Sequence, residues 1–418
     1  MTVKQIPVGN LACQRDTYLK KLSTYCLECS DKPDKKGFYH VKLQDTVLFP
    51  EGGGQPFDTG RINEVQVYNV QREKLAHVHF TKAPVPVNQP VVVTLDWERR
   101  WDHMQQHTGQ HLLSAVLEQE PFLYPTSSWN LGLKRSYVEL ETKATKTVPT
   151  ETQLKDVERR VNDLILKDLP VVTHTKKAGL VDRPDSLPED YQGDDGHIRT
   201  VEIQGLDLNP CCGTHMSRLG HLQAVKILHT EKVRGGNIRV FFVFGQRVLD
   251  QLNEHYAIAR QLTSLLSCPP ESFVDNLSKL QLQSRSHHKQ AKQWMTEVAR
   301  SIAADIENQL QTKDTVSFYR SDADLDLLSA IASHLKERKT LDDTEKTVVL
   351  AAGEKTSGGP LLVLGGKPDV VDRLGKSLLK LLASDGLKGG GKGRWQGKTT
   401  SWQAVSKLEH LEKEDICE

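Results

Sequence analysis

Residues 96–119 read DWERRWDHMQQHTGQHLLSAVLEQ, and within them the hydrophobic period changes. Trp97, Trp101, Met104, Thr108, Leu112, Ala115 and Val116 recur at spacings of three and four. Asp96 is placed to cap the first turn, so the spacing predicts a long amphipathic helix over 97–119. Upstream, residues 38–95 are β-rich: GFYHVKLQDTVLFP alternates and QPVVVTLDW is a β-branched run. Between those runs lies FPEGGGQPFDTG, a glycine loop bracketed by prolines. Downstream, Leu154, Val157, Val161 and Leu164 mark a second helix, and RPDSLPEDYQGDDG (183–196) an acidic exposed loop. HIRTVEI reads as a strand. LQAVKILHTEKVRGGNIRVFFVF reads as a hairpin turning at Gly235-Gly236-Asn237.

Beyond SCPPES (267–272), residues 273–311 are long, polar and helical. The last hundred residues alternate apolar strands (TVVLAA, GPLLVLGG) with the helix DVVDRLGKSLLKLLA, ending in a loop, DGLKGGGKGRWQGK. A chain of 418 residues with 37% hydrophobic and 26% charged residues holds several globular domains. The start, MTVKQIPVGNLACQRD, lacks the apolar core of a secretory signal, and no apolar run reaches the roughly 20 residues of a membrane helix. Seven cysteines, an odd number, point to reduced thiols and a cytoplasmic setting. The net charge of +1 gives no global attraction to a polyanion, so nucleic-acid contact would rest on local patches.

The chemistry lies in two pairs. His107 and His111 stand four apart on the predicted helix, about 400° of rotation, so both imidazoles share one face. His103 lies one turn earlier on that stripe. In NPCCGTHMS (209–217), Cys211 and His215 are also four apart, on a turn after a strand. The four could bind zinc tetrahedrally, or three could hold it with one position open to water. Competing motifs fail. A zincin needs a glutamate where Thr108 stands, and LGKS (374–377) lacks the first glycine of a phosphate loop, at Val370. Cys26 and Cys29 form a CxxC with no second pair, and no segment indicates ATP use.

FPEGGGQPFDTG, HTGQHLL and CCGTH, in this order and spacing, resemble the AlaX family, stand-alone relatives of the editing domain of alanyl-tRNA synthetase. The resemblance covers residues 1–250, and GGGKGRWQGK is more loosely similar to the C-terminal glycine-rich loop of the long form. The resemblance implies an α+β chain. Its expected parts are a β-barrel-like domain with the glycine loop (1–95), an α+β editing domain (96–250), a helical linker (251–312) and an α/β domain like that of the synthetase (313–418). It places one Zn2+ on His107, His111, Cys211 and His215. Where the family has glycine after the motif cysteine, this chain has Cys212, and His103 is outside the pattern.

The implied reaction is hydrolysis of the ester between a wrong amino acid and tRNA, with Ser-tRNA(Ala) as substrate. A pocket for alanine rejects serine only about 10²-fold, whereas a site that hydrogen-bonds the serine hydroxyl rejects alanine far more strongly. Zinc would either activate a water or hold the substrate's amino group or ribose. Gly53 and Gly54 would let the backbone approach the ester, and Gln55 would orient water. Thr108 and Thr214 are candidate partners for the serine hydroxyl. Lys388, Lys392, Arg394 and Lys398 would meet tRNA phosphates, with Trp395 free to stack on a base. Rival readings are a deacylase preferring another tRNA, such as tRNA(Thr), and a non-catalytic tRNA-binding protein with structural zinc.

Overall fold

The computed structural model describes residues 4–142, 147–177, 197–391 and 393–410, and the chain divides into two compact units, Met1–Gln261 and Leu262–Glu418. The acidic segment 183–196 lies outside the described residues. Among the described residues, no helix is long and apolar enough to cross a membrane.

In the first unit, β1 (Lys21–Cys29), β2 (Tyr39–Leu43), β3 (Gly60–Ile62), β4 (Val65–Glu73), β5 (Ala76–Thr81) and β6 (Pro90–Leu95) close into a barrel in the order β1-β2-β5-β4-β3-β6. Val41, Leu43, Ile62, Val67, Val70, Val91 and Val93 pack in one core there. The β-rich region therefore starts earlier than residue 38. In KLSTYCLEC only Thr24 and Cys26 are buried, so β1 carries little hydrophobic signal of its own.

The histidine helix follows at Trp97–Glu118, its first turn capped by Asp96, whose side chain accepts from the Arg99 amide. It is buried on every side from His103 to Leu117, which explains a glycine at its centre. A Cβ on Gly109 would sit 2.3 Å from the Phe244 ring, so close packing outweighs helix propensity there. Short antiparallel sheets surround it. β7 (Thr126–Asn130) and β8 (Ser136–Leu140) join a later hairpin, while β9 (Val171–Lys177), β10 (His197–Ile203) and β11 (Asp207–Pro210) form a sheet of their own. The hairpin is β12 (Val225–Lys232) and β13 (Ile238–Phe244), turning through Gly235 (φ 102°) and Gly236 (φ 99°) as the glycine pair requires. A helix over Glu151–Lys167, closed by a Thr150/Gln153 capping box, buries Val157, Val161 and Ile165 on one stripe.

In the second unit, β14 (Thr315–Arg320), β15 (Thr347–Ala352), β16 (Pro360–Gly365), β17 (Lys388–Gly390) and β18 (Arg394–Lys398) order as β14-β15-β16-β18-β17. β14 and β15 are parallel, joined through the helix Leu325–Glu337, and the other pairs are antiparallel. Every residue of β15 is buried. Val348, Leu350 and Ala352 join one core with the long helix Phe273–Gln309, and Val349 and Ala351 join another with the helix Pro368–Leu381. The glycine- and lysine-rich segment is not a loop as expected: β17 and β18 form its arms.

Candidate functional site

The histidine helix presents His107 and His111 one turn apart, their ring centroids separated by 5.3 Å. Opposite them, the β10–β11 hairpin runs directly into the CCGTH loop, whose Cys211 amide donates to the Arg199 carbonyl (3.0 Å). Four hydrogen bonds from three side chains then hold the loop by its carbonyls. The buried Arg199 guanidinium bonds the carbonyls of Cys211 and Gly213, Gln14 Nε2 that of Cys212 (2.7 Å), and Thr17 Oγ1 that of His215 (2.9 Å). The loop is thereby fixed against the helix.

One ligand atom from each of His107, His111, Cys211 and His215 lies within 4.8 Å of all the others, and all four residues are buried. Cys211 Sγ is 3.4 Å from His107 Nε2 and 3.2 Å from His215 Nε2. Around a tetrahedral zinc ion, bond lengths of about 2.0–2.3 Å put neighbouring ligand atoms roughly 3.3–3.7 Å apart. The residues fit a metal ion. Burial favours the uncharged form of each: it drives the His107 and His215 imidazoles well below their ordinary range, His111 to about 4, and the Cys211 thiol up to about 12. Neutral imidazoles are the ligand form, and the thiol gives up its proton on binding a cation.

Behind the cluster, the far ring nitrogens of His107 and His215 are engaged. Gln55 Oε1 accepts the Thr214 amide (2.9 Å) and faces His107 Nδ1 at 2.9 Å. A carbonyl oxygen only accepts, so His107 carries its proton on Nδ1 and turns the Nε2 lone pair to the cluster. Gln55 Nε2 donates to Thr214 Oγ1 (2.8 Å). Thr108 Oγ1 accepts from the Met216 amide (2.9 Å) and lies 3.2 Å from His215 Nδ1. His111 Nδ1 is 4.0 Å from Asp207 Oδ2. Gly213 is needed for this closeness, because a Cβ there would sit 2.2 Å from the His107 ring and 2.9 Å from Gln55 Oε1.

Gln55 ends a tight turn closed by reciprocal amide–carbonyl bonds between Gly52 and Gln55. Gly53 (φ 60°) and Gly54 (φ 78°) fill its centre, and the Trp129 indole lies over Gly54. At the base of the loop, buried Asp58 accepts the Phe49 amide (2.7 Å) and Arg100 Nε (2.9 Å). Arg100 also donates to the carbonyls of Val47 and Thr17. One helix therefore carries His107, His111 and the clamp on the glycine loop. The sequence reading missed Asp58, Arg100 and Arg199. Asp58 lies inside the quoted glycine motif, but no local pattern announces a partner 42 residues away.

Residues 198–241, from β10 into β13, match the family model described as the threonyl and alanyl tRNA synthetase second additional domain. Over 415 residues, 96% of each chain, the protein is 36% identical to alanyl-tRNA editing protein Aarsd1 of Mus musculus. It is 32% identical over 437 residues, 95% of this chain and 94% of the other, to the putative alanyl-tRNA editing protein alaX of Saccharomyces cerevisiae. The chain belongs to the alanyl-tRNA editing protein (AlaX) family. It is also 26% identical to the alanine–tRNA ligase of Pyrococcus furiosus, across 84% of this chain and 39% of the ligase.

Two residues outside the quartet, His103 and Cys212, are both packed into the first unit. His103 is buried behind the ligands, its Nδ1 3.9 Å from Asp58 Oδ1. Cys212 packs against the apolar cluster of Val8, Leu11, Cys13 and Phe49. In the second unit, Lys388, Arg394 and Lys398 are exposed, while Lys392 lies outside the described residues. Trp395 does not stack on a base. Strand alternation in β18 turns it inward, 3% exposed, against Gly375 and Gly397, whose missing side chains make room for its ring.

Proposed function

We propose that the protein is a trans-editing hydrolase that cleaves serine from mischarged Ser-tRNA(Ala), with one zinc ion on His107, His111, Cys211 and His215. The observation that carries this reading is Gln55, which joins the glycine turn to the tautomer of His107. It makes the loop and the metal cluster one device. Three nitrogen donors and one sulfur in a buried cluster suit zinc. When bound, the ion supplies Lewis acidity at the ester.

The remaining roles belong to the chain. Gly53, with open space where a side chain would stand, admits the ester and lets a backbone amide approach the developing oxyanion, while Gly54 makes room for the Trp129 indole that covers the turn. Gln55 is not placed to orient water as the sequence suggested: its buried amide is taken up by Thr214 and His107 Nδ1, so it positions the His107 ring instead. Thr108 fixes the His215 ring and Thr214 fixes Gln55, so both position the machinery through other groups. Selectivity for serine comes from polar groups that an alanyl ester leaves unpaired. Lys388, Lys392, Arg394 and Lys398 meet tRNA phosphates, a contact that positions without reading sequence. The protein acts in the cytoplasm, without ATP or a membrane.

Replacing Cys211 by alanine separates this reading from a purely structural metal. Metal content by elemental analysis, circular dichroism and hydrolysis of Ser-tRNA(Ala) are measured on the same sample. The proposal expects metal and hydrolysis lost with the fold retained. Hydrolysis retained after metal loss would contradict it.

A further inference from the structure

Outside the cluster, the barrel wall carries two open hollows. One, of about 620 Å³, is lined by Gly52, Gly54, Pro56, Phe57, Tyr68 and Arg99 with the segment 130–133. The other, of about 500 Å³, is lined by Lys35, Lys36, Phe38, Phe57, Tyr68 and Phe80. Phe57 and Tyr68 belong to both, so the hollows form one trough ending at the glycine turn. The turn's other end, Gln55, touches His107.

Tyr68 is the centre of this trough, and its placement is unusual for a barrel strand. The β4–β5 register pairs Val67 with Thr81 and Asn69 with Phe80, which leaves Tyr68 as the extra residue of a bulge. A bulge re-aims a side chain, and here the ring stands 43% exposed. Phe38 braces it at 5.8 Å between centroids, and Phe80 braces Phe38 at 6.5 Å. Cations frame the rings. Lys82 Nζ is 5.0 Å from the Tyr68 centroid, and the Arg99 guanidinium is 5.2 Å from the Phe57 ring while its Nε bonds the Phe57 carbonyl (3.0 Å). The lining carries three cations, Lys35, Lys36 and Arg99, against two acids, Asp34 and Glu51, and Asp34 is turned onto the Lys36 and Phe38 amides and the His40 ring.

Exposed rings interleaved with cations are the elements of a single-strand nucleic-acid platform, on which bases stack and phosphates are neutralised. We infer that this trough seats the unpaired terminal nucleotides of the RNA whose ester enters the cleft, with one base on Tyr68. The inference rests on the hydrolase reading for the ester, but the trough can be tested without it. A paired duplex end hides its ring faces and gains nothing from the platform, so the trough selects unpaired nucleotides.

The probe is a fluorescein-labelled single-stranded RNA tetranucleotide without any ester, titrated with the full-length protein by anisotropy. Tyr68→Ala should weaken binding about 5- to 150-fold, the range for losing one stacked base, whereas Tyr68→Phe keeps it. The double variant Lys35→Glu/Lys36→Glu should reduce the slope of log affinity against log salt by about 1.4. A short blunt RNA duplex should compete poorly. Tyr68→Ala binding within twofold of the parent, or a duplex competing equally, would overturn the inference. Because the probe carries no ester, absent hydrolysis of Ser-tRNA(Ala) with these binding effects intact would sink only the hydrolase reading. Hydrolysis with KM unchanged in Tyr68→Ala would sink only the trough.

Discussion

Gly213→Ala is the substitution whose effect follows most directly from the geometry. The backbone at Gly213 does not have a positive φ, so alanine brings no conformational strain of its own. Its Cβ would, however, lie 2.2 Å from His107 Cε1 and 2.4 Å from Nδ1, against about 3.4 Å for ordinary contact. The ring or the loop must yield by roughly 1 Å, the difference between those distances. Either movement parts His107 Nδ1 from Gln55 Oε1, now 2.9 Å away, and displaces Nε2 from the cluster. Loss of an outer partner of a metal-bound histidine costs about 10- to 100-fold in metal affinity, and overpacking a filled site costs about 1–3 kcal/mol of stability. Competition for zinc against a chromophoric chelator reads the first, and urea denaturation the second. An affinity within threefold of the parent would refute the idea that Gly213 sets the approach of loop and helix.

Three further predictions concern the framework. Arg100→Met leaves Asp58 buried without its cation and should cost about 3–5 kcal/mol in urea denaturation, whereas Arg100→Met with Asp58→Asn should cost less than the sum of the single changes. Gly109→Ala should destabilise by about 1–3 kcal/mol although alanine is the better helix former, because its methyl meets the Phe244 ring; a stabilised variant would contradict that packing. Acid should weaken the first unit through His77, His79 and His103. Burial holds His77 well below its ordinary range, His79 near 4 and His103 near 3 in the folded chain, whereas unfolded histidine titrates near 6.5. Below about pH 6.5 the unfolded chain binds the extra protons, so stability present above that pH is lost as pH falls toward 4, by up to about 1.4 kcal/mol per histidine per unit. A urea midpoint equal at pH 7.5 and pH 5 would contradict this.

The two pairs were legible because each obeys a local rule, one helical turn for His107 and His111 and one loop for Cys211 and His215, and the family resemblance placed them together as the structure does. The histidine helix was legible for the same reason, its cap and period being local. What joins the pairs was not. Arg199 holds the loop from a strand that reads as plain β, and the Asp58–Arg100 pair spans 42 residues. β1 was missed because its burial depends on pairing with β6, some seventy residues later, and its own side chains alternate only weakly. Trp395 was misread because glycines suggest a loop, whereas Gly375 and Gly397 are there to receive its indole. Glycine as a packing partner leaves no mark that distinguishes it from glycine as a turn.

The central claim is tested most directly by following release of labelled serine from Ser-tRNA(Ala) by zinc-replete protein, with Ala-tRNA(Ala) in parallel. Serine should be lost rapidly while alanine stays attached, with no loss above the spontaneous rate for Gln55→Ala, whose amide ties the glycine turn to His107. Equal release of both amino acids would remove the assigned selectivity. Serine released no faster than in buffer would contradict the hydrolytic function itself.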